Sequence, residues 1–86
     1  MADYSITFAR SARKELESLS NSLIKRIFSR IESLADSPRP TGCKKLKGTE
    51  ELWRIRVGDY RVVYSVDDKL RIVDVIAVRH RNQAYS

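Results

Sequence analysis

From Leu52 to Tyr64 the chain reads LWRIRVGDYRVVY, with apolar and polar residues alternating on both sides of Gly58-Asp59. That dipeptide suits a two-residue hairpin loop with positive φ. Folding the two runs about it sets Val57 opposite Tyr60, Arg56 opposite Arg61, Ile55 opposite Val62 and Arg54 opposite Val63. Side chains alternate with period 2 in a strand, so Trp53, Ile55, Val57, Tyr60, Val62 and Tyr64 share a core face. Arg54, Arg56 and Arg61 share the other. Like charges directly opposed across strands are destabilising, by a few tenths up to about 1 kcal/mol. The Arg56/Arg61 pair therefore points to an anion on this face; the alternative is arginine stems shielding the sheet with their heads in solvent.

The same period appears in Tyr4–Phe8, where Tyr4, Ile6 and Phe8 fall on one side of a first strand. From Ser11 the spacing becomes helical, with Ala12, Leu16 and Leu19 on one stripe. Ser20-Asn21-Ser22 interrupts and offers a cap to a second helix. That helix carries Leu23, Ile24, Ile27, Phe28, Ile31, Leu34 and Ala35 at three- and four-residue spacings. Ser37-Pro38-Arg39-Pro40-Thr41-Gly42 ends it, because proline lacks an N–H and disfavours the helical conformation before it. Cys43–Leu46 reads as a short strand, and Leu70–Val78 as an interior strand, being apolar on both parities.

These elements predict a single α+β domain over residues 1–86, of order βααβββ. A helical hairpin covers one face of a mainly antiparallel four-stranded sheet, and the arginine face is left open. A three-residue turn at Asp67-Asp68-Lys69 would set Val66 opposite Leu70 and Arg61 opposite Val75. Counting by twos from Val75 then gives Arg81 the facing of Arg61, and leaves Val73 and Val75 on the open face in need of a cover.

Composition narrows the function classes. Seventeen Lys and Arg against eleven Asp and Glu give a net charge of +6. Residues 1–43 carry net +2 and residues 44–86 net +4, with basic runs at Lys44, Lys45, Lys47 and at Arg79, His80, Arg81. Such a balance in a small domain favours nucleic acid or another acidic partner. The single cysteine, Cys43, excludes an internal disulfide, and without a His or Cys at ligand spacing it argues against a zinc site. No stretch approaches the roughly 20 apolar residues of a membrane span, so a soluble, cytoplasmic protein is expected.

The blocks KLKG (Lys45–Gly48), WRIRVGDYRVVY (Trp53–Tyr64) and VIAVRHRNQAY (Val75–Tyr85), in this order and spacing, resemble the RelE/ParE superfamily of toxins from type II toxin–antitoxin pairs. The resemblance implies the fold just described, a cognate antitoxin partner, and one of two activities. RelE-type members cut mRNA in the ribosomal A site without a metal: the 2′-OH attacks the adjacent phosphate, giving a 2′,3′-cyclic phosphate and a 5′-OH. ParE-type members are non-catalytic inhibitors of DNA gyrase. The RelE-type reading is the expectation here, with gyrase inhibition as the alternative. An arginine cluster suits a phosphoryl transition state, which a protein-binding inhibitor has no reason to assemble.

The resemblance also implies the site: Arg54 and Arg56 as the basic pair of a long strand, Arg61 from the YR block, and His80, Arg81 and Tyr85 from the last block. Arg61 and Arg81 would stabilise the anionic phosphorane through guanidinium forks. Tyr85 would stack on a splayed base, unless it belongs to a mobile tail. RelE-type enzymes often have lysine at Arg54 and Arg56, the second a candidate general base. Arginine does not give up its proton near neutral pH. His80 is then the candidate base by residue type, against arginine-only electrostatic catalysis or a structural histidine. Lys44, Lys45 and Lys47 would contact RNA phosphates, or stand as solvated loop lysines.

Overall fold

The structure is a computed structural model that describes residues 3–46 and 52–83. Two of the expected site residues, Lys47 and Tyr85, lie outside the described residues, as does the Gly48-Thr49 turn. The chain runs β1 (Ser5–Phe8), α1 (Arg10–Glu17), α2 (Asn21–Ser33), β2 (Lys44–Lys45), β3 (Leu52–Val57), β4 (Tyr60–Asp67) and β5 (Ile72–His80), then a 3₁₀ turn at Arg81–Gln83. The strands form one sheet in the order β1-β5-β4-β3-β2. β1 is parallel to β5 and the other pairs are antiparallel. The sheet has five strands where four were expected, since the short strand read at Cys43–Leu46 forms as Lys44–Lys45 and joins the edge beside β3.

Both helices pack on one face of this sheet. Ala12 and Leu16 of α1 and Ile27 and Ile31 of α2 meet Ile55, Val57, Val62, Tyr64, Val73, Val75 and Val78 in the core. Trp53 and Tyr60 complete that face, half-buried against it. Fully burying one such aliphatic side chain is worth about 1.5–3 kcal/mol, so these contacts hold the two layers together. Ser20 caps α2 by accepting the Leu23 N–H at 3.4 Å. Beyond α2 the Pro38 carbonyl accepts a 2.7 Å bond from the Tyr64 hydroxyl, which ties the proline segment to the sheet. Burial holds that hydroxyl well above the ordinary tyrosine range.

The β3–β4 hairpin has the expected register throughout, from Leu52↔Ser65 to Val57↔Tyr60. Gly58 takes φ +62° and is alone in the loop in doing so, the pattern of a type II′ turn. The β4–β5 connection differs from expectation. Asp67 Oδ1 accepts the N–H groups of Lys69 and Leu70 at 3.0 and 2.9 Å, and Arg71 adopts φ +57°. The turn therefore spans residues 68–71, with Val66 opposite Val73 instead of Leu70. A β-bulge follows: Tyr64 faces Val75 while Val63 faces Ala77, which leaves Ile76 unmatched. Val73 and Val75 consequently lie in the helix-covered core with no exposed surface, and the open face needs no cover for them.

Candidate functional site

The open face is organised in cross-strand rows. Arg56 of β3 faces Arg61 of β4, and Arg61 faces Arg79 of β5, not Val75. One step along the strands, Lys44 of β2 faces Arg54, Arg54 faces Val63, and Val63 faces Ala77. Paired residues share a face and stand about 4.5–5.5 Å apart at Cα. Three arginines thus share one row across three strands. Val63 and Ala77, each 6% exposed, give the second row an apolar floor.

Counter-charge on these rows is sparse. Glu15 of α1 binds Arg79, with Oε2 accepting from its Nε at 3.1 Å. The other oxygen, Oε1, accepts the Val78 N–H at 3.1 Å. β1 ends opposite Val75, so beyond that point α1 runs beside β5 and Glu15 does what a neighbouring strand would do. Arg81 begins the 3₁₀ turn at the hairpin tip, where its backbone N–H donates to the Asp59 carbonyl at 2.7 Å. Its Nε lies 4.0 Å from Asp59 Oδ1. Among the described residues, neither Arg56 nor Arg61 has a carboxylate partner. The Arg61 Nε is buried and, among the described residues, has no acceptor. An unpaired cationic donor in that position costs on the order of 1–3 kcal/mol or more.

The other expected residues divide. Lys44 joins the basic rows through its pairing with Arg54, whereas Lys45 pairs with Trp53 and sets its ammonium 5.9 Å from that ring. Arg39 lies over the same ring at 5.2 Å, so Trp53 packs on the core and accepts cations. Cys43 is half-buried against the core, as a small apolar side chain. His80 pairs with Tyr60 on the core-facing side and meets its ring edge-on at 5.2 Å. Its Nδ1 accepts the Asn82 N–H at 3.1 Å. The imidazole lines a recess of about 460 Å³ with Glu15, Ser18, Leu19, Tyr60 and Val78, on the side of the sheet away from the arginine rows. The structure does not bring His80 together with Arg54, Arg56 and Arg61.

The arrangement instead supplies Arg79, which the expected set lacked. Its signal was present in the sequence, two residues before Arg81 and of the same parity. Glu15 carried no signal, because nothing in a helical repeat tells where its carboxylate ends against a strand.

A protein-family model described as the ParE toxin of the type II toxin–antitoxin system matches residues 6–85. The chain belongs to the RelE/ParE superfamily of type II toxins. Within that superfamily it is 31% identical to the mRNA interferase toxin RelE of Escherichia coli, over 96% of this chain and 90% of that protein. The fold agrees with the archaeal RelE–RelB complex from Pyrococcus horikoshii, at TM-score 0.82 and 31% identity over 95% of this chain and 99% of that one. It agrees as well with the RelBE2 toxin–antitoxin complex from Mycobacterium tuberculosis, at TM-score 0.81 and 26% identity over 92% and 99%. For a RelE/ParE toxin, the arginine rows are the feature of this chain that most needs a chemical explanation.

Proposed function

We propose that this toxin is a metal-independent endoribonuclease that cuts mRNA in the ribosomal A site and is neutralised by a cognate antitoxin. The observation that carries the reading is Arg61: a buried Nε without an acceptor, between two further arginines in one row. A fold keeps such a donor where an anion completes it. The phosphate being attacked is dianionic in the phosphorane, and preorganised guanidinium forks are worth most at that stage. The relative called an mRNA interferase, and the solved relatives held by RelB, support the activity and the partner.

In this reading the 2′-oxygen attacks phosphorus while Arg61, Arg56 and Arg79 take the growing charge on the non-bridging oxygens. As the P–O5′ bond breaks, Arg81 at the hairpin tip stabilises the leaving 5′-oxygen, and water supplies the proton that makes it the 5′-OH. Arg54 and Lys44 hold the flanking phosphate, Lys47 adds a backbone contact, and Tyr85 stacks on a neighbouring base, while Lys45 stays beside Trp53 on the other side of the sheet. His80 plays no part, because the sheet separates it from the row. Catalysis is then electrostatic, and the rate should rise steadily with pH as solvent base removes the 2′-OH proton.

The test is 5′-end mapping of a defined mRNA with and without translating ribosomes, in the presence of EDTA, for the parent and for Arg61→Ala and His80→Ala. Cuts at A-site codons that vanish with Arg61→Ala and persist with His80→Ala are expected. Loss in His80→Ala, with a bell-shaped pH profile, would return the base role to that residue. Absence of any cuts from a folded protein would move the reading to gyrase inhibition, checked by a supercoiling assay.

A further inference from the structure

Beyond the two basic rows the open face changes character. A further cross-strand row runs through Leu52 of β3, Ser65 of β4, Asp74 of β5 and Thr7 of β1. The neighbouring Tyr64, Val73 and Val75 are buried in the helix-covered core, which puts this row on the same face as the arginines. The Thr7 hydroxyl donates to Asp74 Oδ1 at 2.7 Å. Among the described residues no cation pairs with Asp74, and its Oδ2 has no donor. Along β4, Ser65 follows Arg61 by about 13 Å at the usual rise of a strand. Val63 and Ala77, the apolar floor, fill that interval. The face thus has phosphate donors at one end and a carboxylate with two hydroxyls at the other.

We propose that Asp74 is a base-reading residue, which selects guanine in the unpaired strand held by the arginine rows. A carboxylate repels phosphate, so beside an RNA strand it meets the donor edge of a base. A nucleotide whose phosphate sits at the arginine row lays its base on Val63 and Ala77, since apolar side chains receive unstacked bases. The far edge of that base then reaches Asp74 and Ser65. Unpaired bases are read on this pairing edge. Guanine alone offers two adjacent donors there, N1–H and the N2 amine, beside the O6 acceptor. The two donors suit the carboxylate, and the Ser65 hydroxyl is a donor for O6. Adenine, cytosine and uracil each set an acceptor beside their donor, against a carboxylate that only accepts. A basic peptide would also pair with Asp74, but the adjoining arginine rows repel it. This assignment rests on the RNA reading above, but not on cleavage.

The test is fluorescence anisotropy at low salt with a short labelled uridine oligonucleotide carrying one central guanosine, 2′-O-methylated so that it cannot be cut. A second oligonucleotide carries inosine there, which keeps O6 and N1–H and lacks only the N2 amine. The parent is expected to bind the guanosine form about tenfold more tightly, the usual size of a specific base contact. Asp74→Asn should bring the two affinities to within about twofold of each other, because it can keep an acceptor for Thr7 while turning NH2 toward the base. Comparing the two oligonucleotides cancels the general gain in RNA affinity that follows loss of a negative charge. Ser65→Ala should weaken both forms alike, since both carry O6. The charge-matched control Asp36→Asn, altered after α2, should keep the parent's preference. Thermal melts establish that each variant is folded. Equal binding of the two forms by the parent, a preference that survives Asp74→Asn, or an equal loss of preference in the control would overturn the proposal. Absence of binding to either form would overturn it together with the RNA reading. Failure of the cleavage reading alone shows in the end-mapping assay and leaves these binding outcomes unaffected.

Discussion

Three arginines in one cross-strand row repel one another, and the middle one, Arg61, also buries a donor that none of the described residues accepts. Both terms oppose folding, so the residue is retained against stability. Replacing it with a linear apolar side chain removes the repulsion and the unpaired Nε while keeping the packed stem. Arg61→Met should therefore raise stability by about 0.5–1 kcal/mol. In a domain of this size that is roughly 2–8 °C in melting temperature. The same change should lower cleavage by about 10²–10³-fold, the usual loss for a transition-state donor. Melting and end mapping on one protein sample check both halves, and a lower melting temperature would make Arg61 a structural residue. Tyr64 is the opposite case. Its hydroxyl satisfies the Pro38 carbonyl at 2.7 Å, so Tyr64→Phe should cost about 1 kcal/mol by denaturant titration with cleavage unaffected.

The β3–β4 hairpin was fully legible at the scale of elements, because alternation and a two-residue loop leave one register. The β4–β5 pairing was not. Asp67 draws the N–H groups of Lys69 and Leu70 onto its carboxylate, and the turn moves to residues 68–71. That shifts the register by three, an odd number, which turns Val73 and Val75 into the core. The unmatched Ile76 shifts it by one more and restores the parity of Ala77 and Arg79. Counting by twos therefore gave the right facing for the arginines and the wrong one for the valines. A side chain's preference for its own turn and a single-residue bulge are both invisible to periodicity. Glu15 belongs to the same scale, since it joins α1 to β5 by the Val78 N–H and the Arg79 Nε. Glu15→Ala leaves that N–H without its acceptor and should cost about 1–3 kcal/mol. It should also release Arg79, lowering cleavage. Glu15→Gln keeps one acceptor oxygen, which can take the Val78 N–H while its NH2 cannot accept from the Arg79 Nε, and should recover part of the stability. Equal losses in the two variants would mean that charge, rather than hydrogen bonding, holds the joint.

For the molecule as a whole, one exposed cluster closes the end of the domain opposite the hairpin tip. Asp68 in the β4–β5 turn accepts from Tyr4 Oη at 2.7 Å, and from Arg39 Nη1 and Nη2 at 3.2 and 2.9 Å. It thereby links the start of β1, the segment after α2 and the turn. Hydrogen bonds from Arg39 and then Tyr4 hold the Asp68 carboxyl below its ordinary range, and the Asp68 bond pushes the Tyr4 hydroxyl up. A carboxylate with a depressed folded pKa stabilises the fold fully above its unfolded value, about 4. That contribution is lost as pH falls through the folded value. The cluster is in water, so its effect is small and weakens with salt. Asp68→Asn should therefore melt slightly below the parent at pH 7 in low salt. The gap should narrow below about pH 4, once the parent carboxyl is protonated too. It should narrow again at pH 7 in about 1 M salt, where the Debye length is about 3 Å. Melting curves from pH 7 to 2.5 test it. A gap that stays constant across the range would mean that Asp68 acts through the shape of its turn and not through its charge. The basic tip and this neutralised end would then owe nothing to each other, and the +6 of the chain would act on its partners alone.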